Sequence, residues 1–295
     1  MEKTVQTIIK EREKNQPITN EFVYMKKLKK LIKAILLIVK NPALLNIVLD
    51  DADVNKEQVI KKYNLPLGFK TIDITELLPN FNETIEPYSS LDGGSTPVDL
   101  ALLKGLAKSK TDCMYFEIGT WRGESSAIVA SAAKQCVTLN LPDAEMLKMG
   151  LDKKYVESHR FFSKDLKNVT HIQANSQTFD YCSLNQKFDL IFIDGDHHYE
   201  SVKNDTANAF KLLKDDDSMI VWHDYGNNPT DIRWDVLRGV LDGTPLEKHS
   251  SLFRVSNTLC AIYTTKQLKS EYIEPFSAPS KFFSITLKSL KTKVS

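Results

Sequence analysis

The sequence predicts an α/β protein, a doubly wound and mostly parallel sheet with helices on both faces. Two observations lead there. Apolar runs recur from residue 113 onward: CMYFEIG (113–119), CVTLNL (136–141), VTHIQA (169–174), FDLIFID (188–194), SMIVWHD (218–224) and TLCAIYT (258–264). Stretches of helical period lie between them, such as SSAIVASAAK (125–134) and YESVKNDTANAFKLLK (199–214). Near-continuous apolar strands alternating with helices are strands buried on both faces, which is the signature of a parallel sheet. At 295 residues the chain has room for one such domain and an extension.

The segments before and after this alternation are of other kinds. Residues 22–40, FVYMKKLKKLIKAILLIVK, have helical period, and Asn41-Pro42 stops the pattern. Leu28, Ile32, Ile35, Leu36 and Val39 share one face, with Lys26, Lys29, Lys30, Lys33 and Lys40 on the other. Such a helix packs on the main domain or a second subunit, or lies on an anionic membrane surface; packing is the commoner outcome. Residues 65–97 hold four prolines and an Asp92-Gly93-Gly94-Ser95 turn, and read as a linker. Thr96 then caps a helix with Pro97 at its first position. The organisation expected is a helical N-terminal extension (1–64), a linker (65–95), the α/β domain (96–265) and a basic C-terminal tail (266–295).

Charge follows the same division. Residues 1–40 carry a net +6 and residues 266–295 a net +4, so within a total of +1 the middle is acidic at −9. This balance gives no reason to expect a nucleic-acid partner. Basic, amphipathic ends are compatible with a peripheral membrane contact, and the N-terminal helices offer a homodimer contact. The most apolar stretch, 31–49, is interrupted by Lys33, Lys40 and Pro42, and makes a poor membrane span. MEKTVQTIIKEREK is charged where a signal peptide would be apolar. Cys113, Cys136, Cys182 and Cys260 are widely spaced without a CxxC, as in a reduced cytoplasmic protein.

The first strand ends in YFEIGTWRGESSA (115–127). Gly119 allows a tight turn and close approach of backbone to a ligand. The helix that follows offers unpaired N–H groups at its start. Neither GxGxxG nor GxxxxGK[ST] is present, which disfavours a nicotinamide dinucleotide and a Walker-type nucleotide site. The E-x-G-x-x-x-G spacing resembles the first motif of class I S-adenosylmethionine-dependent methyltransferases. That resemblance implies a seven-stranded Rossmann-like sheet. It also implies that Glu117, Gly119, Thr120, Gly123 and Ser125 form the loop under the methionine part of the cofactor. In that family an acid ending the second strand holds the ribose; this chain has Asn140 there, with Asp143 as the nearby acid. Asn175 and Ser176 resemble the polar pair that meets the adenine, and also suit a simple turn.

The chemistry concentrates after the fourth and fifth runs, in FIDGDHHYESVKND (192–205) and VWHDYG (221–226). Ligands of open α/β sheets bind beyond the carboxyl ends of the strands. Asp194, Asp196, His223 and Asp224 therefore face one small volume if these strands are adjacent. Clustered carboxylates repel unless a cation joins them. Oxygen ligands favour Mg²⁺, and a histidine also suits Mn²⁺. The two segments together resemble methyltransferase family 24 and the macrocin-type sugar O-methyltransferases, over roughly residues 90–265. The resemblance implies Asp194, His223 and Asp224 around a metal, Asp194 also near the cofactor, and Asp196 as base; His223 departs from the Asp of the sugar enzymes. His197 is a second candidate base. The function expected is O-methylation of a sugar, glycan or other small-molecule hydroxyl, as in polysaccharide biosynthesis. Asp196-His197-His198 also matches the DHH phosphoesterases, whose first strand ends in further Asp/His ligands rather than Glu-Ile-Gly. A non-catalytic membrane-surface protein would leave the acid-histidine cluster unexplained.

Overall fold

The computed structural model describes residues 20–40, 52–226, 230–274, 276 and 278–291. It divides into two compact units, Met1–Asp51 and Ala52–Ser295. The described part of the first unit is one helix, α1 (Asn20–Lys40), over the span that the periodicity predicts. The Asn41-Pro42 stop and the N-terminal stretch before α1 lie outside the described residues.

The second unit opens with α2 (Ala52–Tyr63), β1 (Thr71–Ile72) and α3 (Ile74–Leu77), then α4 (Pro97–Lys108). The α/β alternation runs β2 (Met114–Ile118), α5 (Glu124–Ala130), β3 (Gln135–Asn140), α6 (Asp143–Lys148), α7 (Lys153–Glu157), β4 (Val169–Gln173) and β5 (Leu190–Ile193). It continues with α8 (Tyr199–Leu212), β6 (Met219–Trp222), α9 (Trp234–Gly243), β7 (Leu252–Val255), β8 (Ala261–Tyr263) and β9 (Ser270–Glu271). The strands form one sheet in the order β4-β3-β2-β5-β6-β8-β7-β1-β9. Strands β2 to β6 pair in parallel, and β8 runs antiparallel to both β6 and β7. The α/β class holds, while the sheet has nine strands rather than seven.

The two extra strands come from segments that composition reads as linker and tail. β1 pairs with β7 and β9 with β1. Phe69, Ile72, Ile74 and Leu77, all within 65–95, are buried core residues. Burial of these four side chains ties the proline-bearing stretch to the sheet, at roughly 1.5–3 kcal/mol each. Helix α2 packs on α9, with Val59 buried and Asn55 donating to Asp235 at 2.7 Å, so the N-terminal region divides at Asp51 rather than at residue 64.

Alternate strand residues supply two core layers. Phe116, Ile118, Ile191, Ile193, Ile220 and Trp222 pack with Val202 and Ala209 of α8 and Val236, Leu237 and Val240 of α9. Tyr115, Leu190, Phe192, Met219 and Val221 pack on the other face with Leu102, Leu103 and Leu106 of α4 and Val129 of α5. This period-two division is why the strands read as unbroken apolar runs. Cys113, Cys136 and Cys260 are buried and free of disulfides, and Cys182 is exposed. Among the described residues, no helix is long and apolar enough to cross a membrane.

Candidate active site

Strand register builds the site. Ile118 pairs with Leu139 on one side and Ile193 on the other, and Ile193 pairs with Trp222. The next residues, Asn140, Gly119, Asp194 and His223, therefore stand in a row along the carboxyl edge. Backbone bonds extend the row: Gly119 N donates to Leu139 O, Asp194 N to Ile118 O and His223 N to Ile193 O. Connectivity reverses direction between β2 and β5, the switch point where open α/β sheets bind ligands.

The loop between β2 and α5 needs its glycines. Gly119 has φ +91°, and a Cβ there would lie 2.0 Å from the Asp194 carbonyl oxygen. Gly123 begins α5 at φ +76°, and a Cβ there would lie 2.1 Å from Ser163 Oγ. Glu117 lies beneath the loop rather than on it. It is fully buried and accepts from Tyr115 Oη at 2.6 Å and Ser125 Oγ at 2.8 Å. Burial pushes its carboxyl up to about 8, although these hydroxyls favour the charged form. Glu117 and Ser125 thus brace the loop from below and are not placed at its surface. Thr120 donates its N–H to Asn140 Oδ1 at 3.2 Å, and its buried hydroxyl has no protein partner.

Asn140 is occupied within the protein as well, its amide donating to Leu141 O at 3.1 Å. These bonds make it a staple between β3 and the glycine loop. Asp143 pairs with Arg160 at 2.6 Å. Asn175 closes its own turn by accepting from Gln177 N at 2.9 Å. Ser176 donates to Asp205 Oδ2 at 3.4 Å. Asp205 is buried on α8 and also accepts from Asn204 and Tyr181. Burial raises its carboxyl to about 6. It ties the loop after β4 to α8, a role that its helical position does not disclose in the sequence.

The acid-histidine cluster is real but smaller than the motif implies. Asp194, His223 and Asp224 present one ligand atom each, all within 4.8 Å of one another. His223 Nδ1 lies 3.2 Å from Asp194 Oδ1 and 3.2 Å from Asp224 Oδ2, yet is aligned for a hydrogen bond with neither. Its Nε2 meets Asp99 Oδ2 at 3.2 Å. Asp99 is fully buried on α4 and completes the Thr96 capping box. It also accepts from Leu259 N at 2.9 Å. One carboxylate thus caps α4 and orients His223. Burial opposes charge on His223, but Asp194, Asp224 and Asp99 outweigh it and hold the imidazole far above its ordinary pKa.

Asp224 is left-handed at φ +56°, a strained setting for a non-glycine residue. Burial raises its pKa, but His223, His197 and Arg233 together bring it down to about 2. His197 Nε2 lies 3.2 Å from Asp224 Oδ2.

Asp196 turns away from this group. Its carboxylate accepts from Ser201 Oγ at 2.7 Å and lies 2.5 Å from His198 Nδ1. Burial is opposed by these bonds, which hold it below the usual carboxylate range. Asp196 is thus engaged by His198 and Ser201, whereas His197 faces Asp224. Tyr225 is core: it stacks on Phe69 with centroids 5.3 Å apart and accepts from Phe69 N at 2.7 Å. Trp121, by contrast, lies over Tyr155 at the loop surface, with centroids 4.3 Å apart.

Fold and site define a doubly wound α/β enzyme with its glycine loop and acid-histidine cluster at the switch point. Residues 116–225 match the family 24 model described as a methyltransferase domain. By this match residues 116–225 form a methyltransferase domain. This match runs from within β2 to just past β6, and it favours methyl transfer over the phosphoesterase and non-catalytic alternatives. No curated protein matches the chain. Solved structures with similarity include an S-adenosylhomocysteine-bound methyltransferase of Podospora anserina, 16% identical, covering 61% of this chain and 83% of its own, with a TM-score of 0.44. Another is an O-methyltransferase of Bacillus cereus in complex with S-adenosylhomocysteine, at 15% identity, 75% and 95% coverage and 0.39. A third is the O-methyltransferase TomG of Streptomyces achromogenes, involved in tomaymycin synthesis and in complex with S-adenosylmethionine, at 16%, 74% and 91%, and 0.39. The assignment rests on the family match, not on these distant likenesses.

Proposed function

We propose that the protein is an O-methyltransferase whose acceptor is a hydroxyl of a sugar or glycan, with His197 as general base and a divalent cation at Asp194, His223 and Asp224. The observation that carries this reading is the convergence of Asp194 Oδ1, His223 Nδ1 and Asp224 Oδ2 beside the glycine loop. Both groups that the fold implies fit the residues present. The left-handed Gly119 opens the loop to a ligand's backbone-close approach, and the unpartnered Thr120 hydroxyl is a donor for it. The buried Nδ1 of His223, pinned from behind by Asp99, is the arrangement by which carboxylates orient metal-binding histidines. One nitrogen and two carboxylate oxygens suit Mg²⁺ or Mn²⁺.

The bound cofactor supplies a methyl group on a sulfonium centre, and the cation supplies charge that acidifies a hydroxyl. The chain's own residues do the rest. His197 turns Nε2 to Asp224, which leaves Nδ1 to accept the hydroxyl proton as the new C–O bond forms. Asp224 orients that ring. The rigid strand ends hold both partners in place, and positioning of this kind supplies much of the acceleration.

The test is methyl transfer from radiolabelled S-adenosylmethionine to a panel of sugar and phenolic acceptors, with Mg²⁺, with Mn²⁺ and with EDTA. Transfer to sugars that EDTA suppresses and Mg²⁺ or Mn²⁺ restores is the expected result. Full activity in EDTA would remove the cation and assign its charge to a protonated His223. Transfer to phenols alone would overturn the glycan acceptor.

A further inference from the structure

Helix α1 presents an apolar face of its own. Met25, Leu28, Ile32, Ile35, Leu36 and Val39 recur at three- and four-residue spacing and are all exposed, Val39 at 72%. Lys29, Lys33 and Lys40 border that face on one side and Lys30 lies opposite it, and residues 22–40 contain no Asp or Glu. A contiguous exposed apolar stripe of this size marks a contact surface. The helix does not meet the requirements for a membrane span.

We infer that α1 lies flat on a bilayer bearing anionic headgroups, its apolar face at the acyl boundary and its lysines at the phosphates. Charge decides between this occupant and a second copy of the chain. Two α1 helices joined through their apolar faces would bring the bordering Lys29, Lys33 and Lys40 of each towards the like charges of the other. An anionic surface complements every lysine, and each one near it strengthens binding about fivefold. Lysine stems also lie along apolar surface while their ammonium groups reach the headgroups. A low-acid helix with a basic face and a broad aliphatic face is the composition that binds in the interface plane. The second unit carries a separate segment of like character, with Phe282, Leu287 and Leu290 exposed near Lys288 and Lys291.

The test is co-sedimentation of the full chain with vesicles of phosphatidylcholine, with and without phosphatidylglycerol, at low and high salt. Binding to the phosphatidylglycerol vesicles that high salt weakens is expected. The triple variant Lys29→Gln/Lys30→Gln/Lys33→Gln should bind roughly a hundredfold more weakly. Ile32→Ser/Ile35→Ser should lose binding with all lysines present. Thermal unfolding of each variant should match the parent, since the substituted side chains are exposed. Salt-independent binding to phosphatidylcholine alone would overturn the charge argument. Absence of binding would overturn the membrane surface altogether, and a dimer in analytical ultracentrifugation that Ile32→Ser/Ile35→Ser dissociates would assign the face to a second copy.

Discussion

Replacing Glu117 with Gln tests whether burial sets the charge beneath the glycine loop. The Glu117 carboxyl sits at about 8 in the folded protein against an ordinary value of 4.5. Between those values the folded protein keeps a proton that the unfolded chain has released. The unfolded state then binds fewer protons, so stability falls as pH rises, by about 1.4 kcal/mol per pH unit. The contribution is full below the unfolded value and is lost by the folded one, a total on the order of 5 kcal/mol. Gln is neutral at every pH and nearly isosteric; one of the Tyr115 and Ser125 hydroxyls can still donate to its carbonyl while the other accepts from its amide N–H. Urea unfolding of parent and Glu117→Gln at several values between about pH 5 and pH 8 gives the difference in stability. That difference should move in favour of Gln by about 1.4 kcal/mol per unit. Parallel curves across this range would show that Glu117 is charged in the folded state and would refute the burial argument.

Other outcomes follow from the same geometry. Gly119→Ala places a methyl against the Asp194 carbonyl in a left-handed residue; urea denaturation should show a loss of about 2–5 kcal/mol, and calorimetry no S-adenosylhomocysteine binding. His197→Gln should lower kcat by about 10²-fold or more with S-adenosylhomocysteine affinity unchanged. Asp196→Asn should keep kcat within roughly tenfold, since its carboxylate serves His198 and Ser201; equal losses in the two variants would restore Asp196 as a base. Asp99→Asn removes one partner of a buried pair and should cost about 3–5 kcal/mol in thermal unfolding. A near-neutral change would mean that Asp194 and Asp224 alone hold His223.

The sequence alone determines the parts that rest on local pattern. Five of the six apolar runs become the parallel strands β2 to β6 and the sixth the antiparallel β8; away from the edge strand β4 both faces are covered, so the residues need no polar alternation. Thr96 and Pro97 start α4 where they stand, since a cap depends on a few adjacent residues. Gly119, Asp194, His223 and Asp224 meet because strand ends of a parallel sheet share an edge. Tertiary structure decides what depends on partners distant in sequence. β1 and β9 are two residues long and exist only because a neighbouring strand supplies their bonds. Phe69 and Ile72 are buried although prolines around them read as loop, because burial outweighs local turn preference. Asp99 reaches His223 across 124 positions, beyond any local pattern. Asp196 and His197 are neighbours in one motif, yet the turn into α8 sends the first to Ser201 and the second to Asp224. Residue types mark where chemistry concentrates; backbone direction at the strand ends selects which side chain is left to perform it.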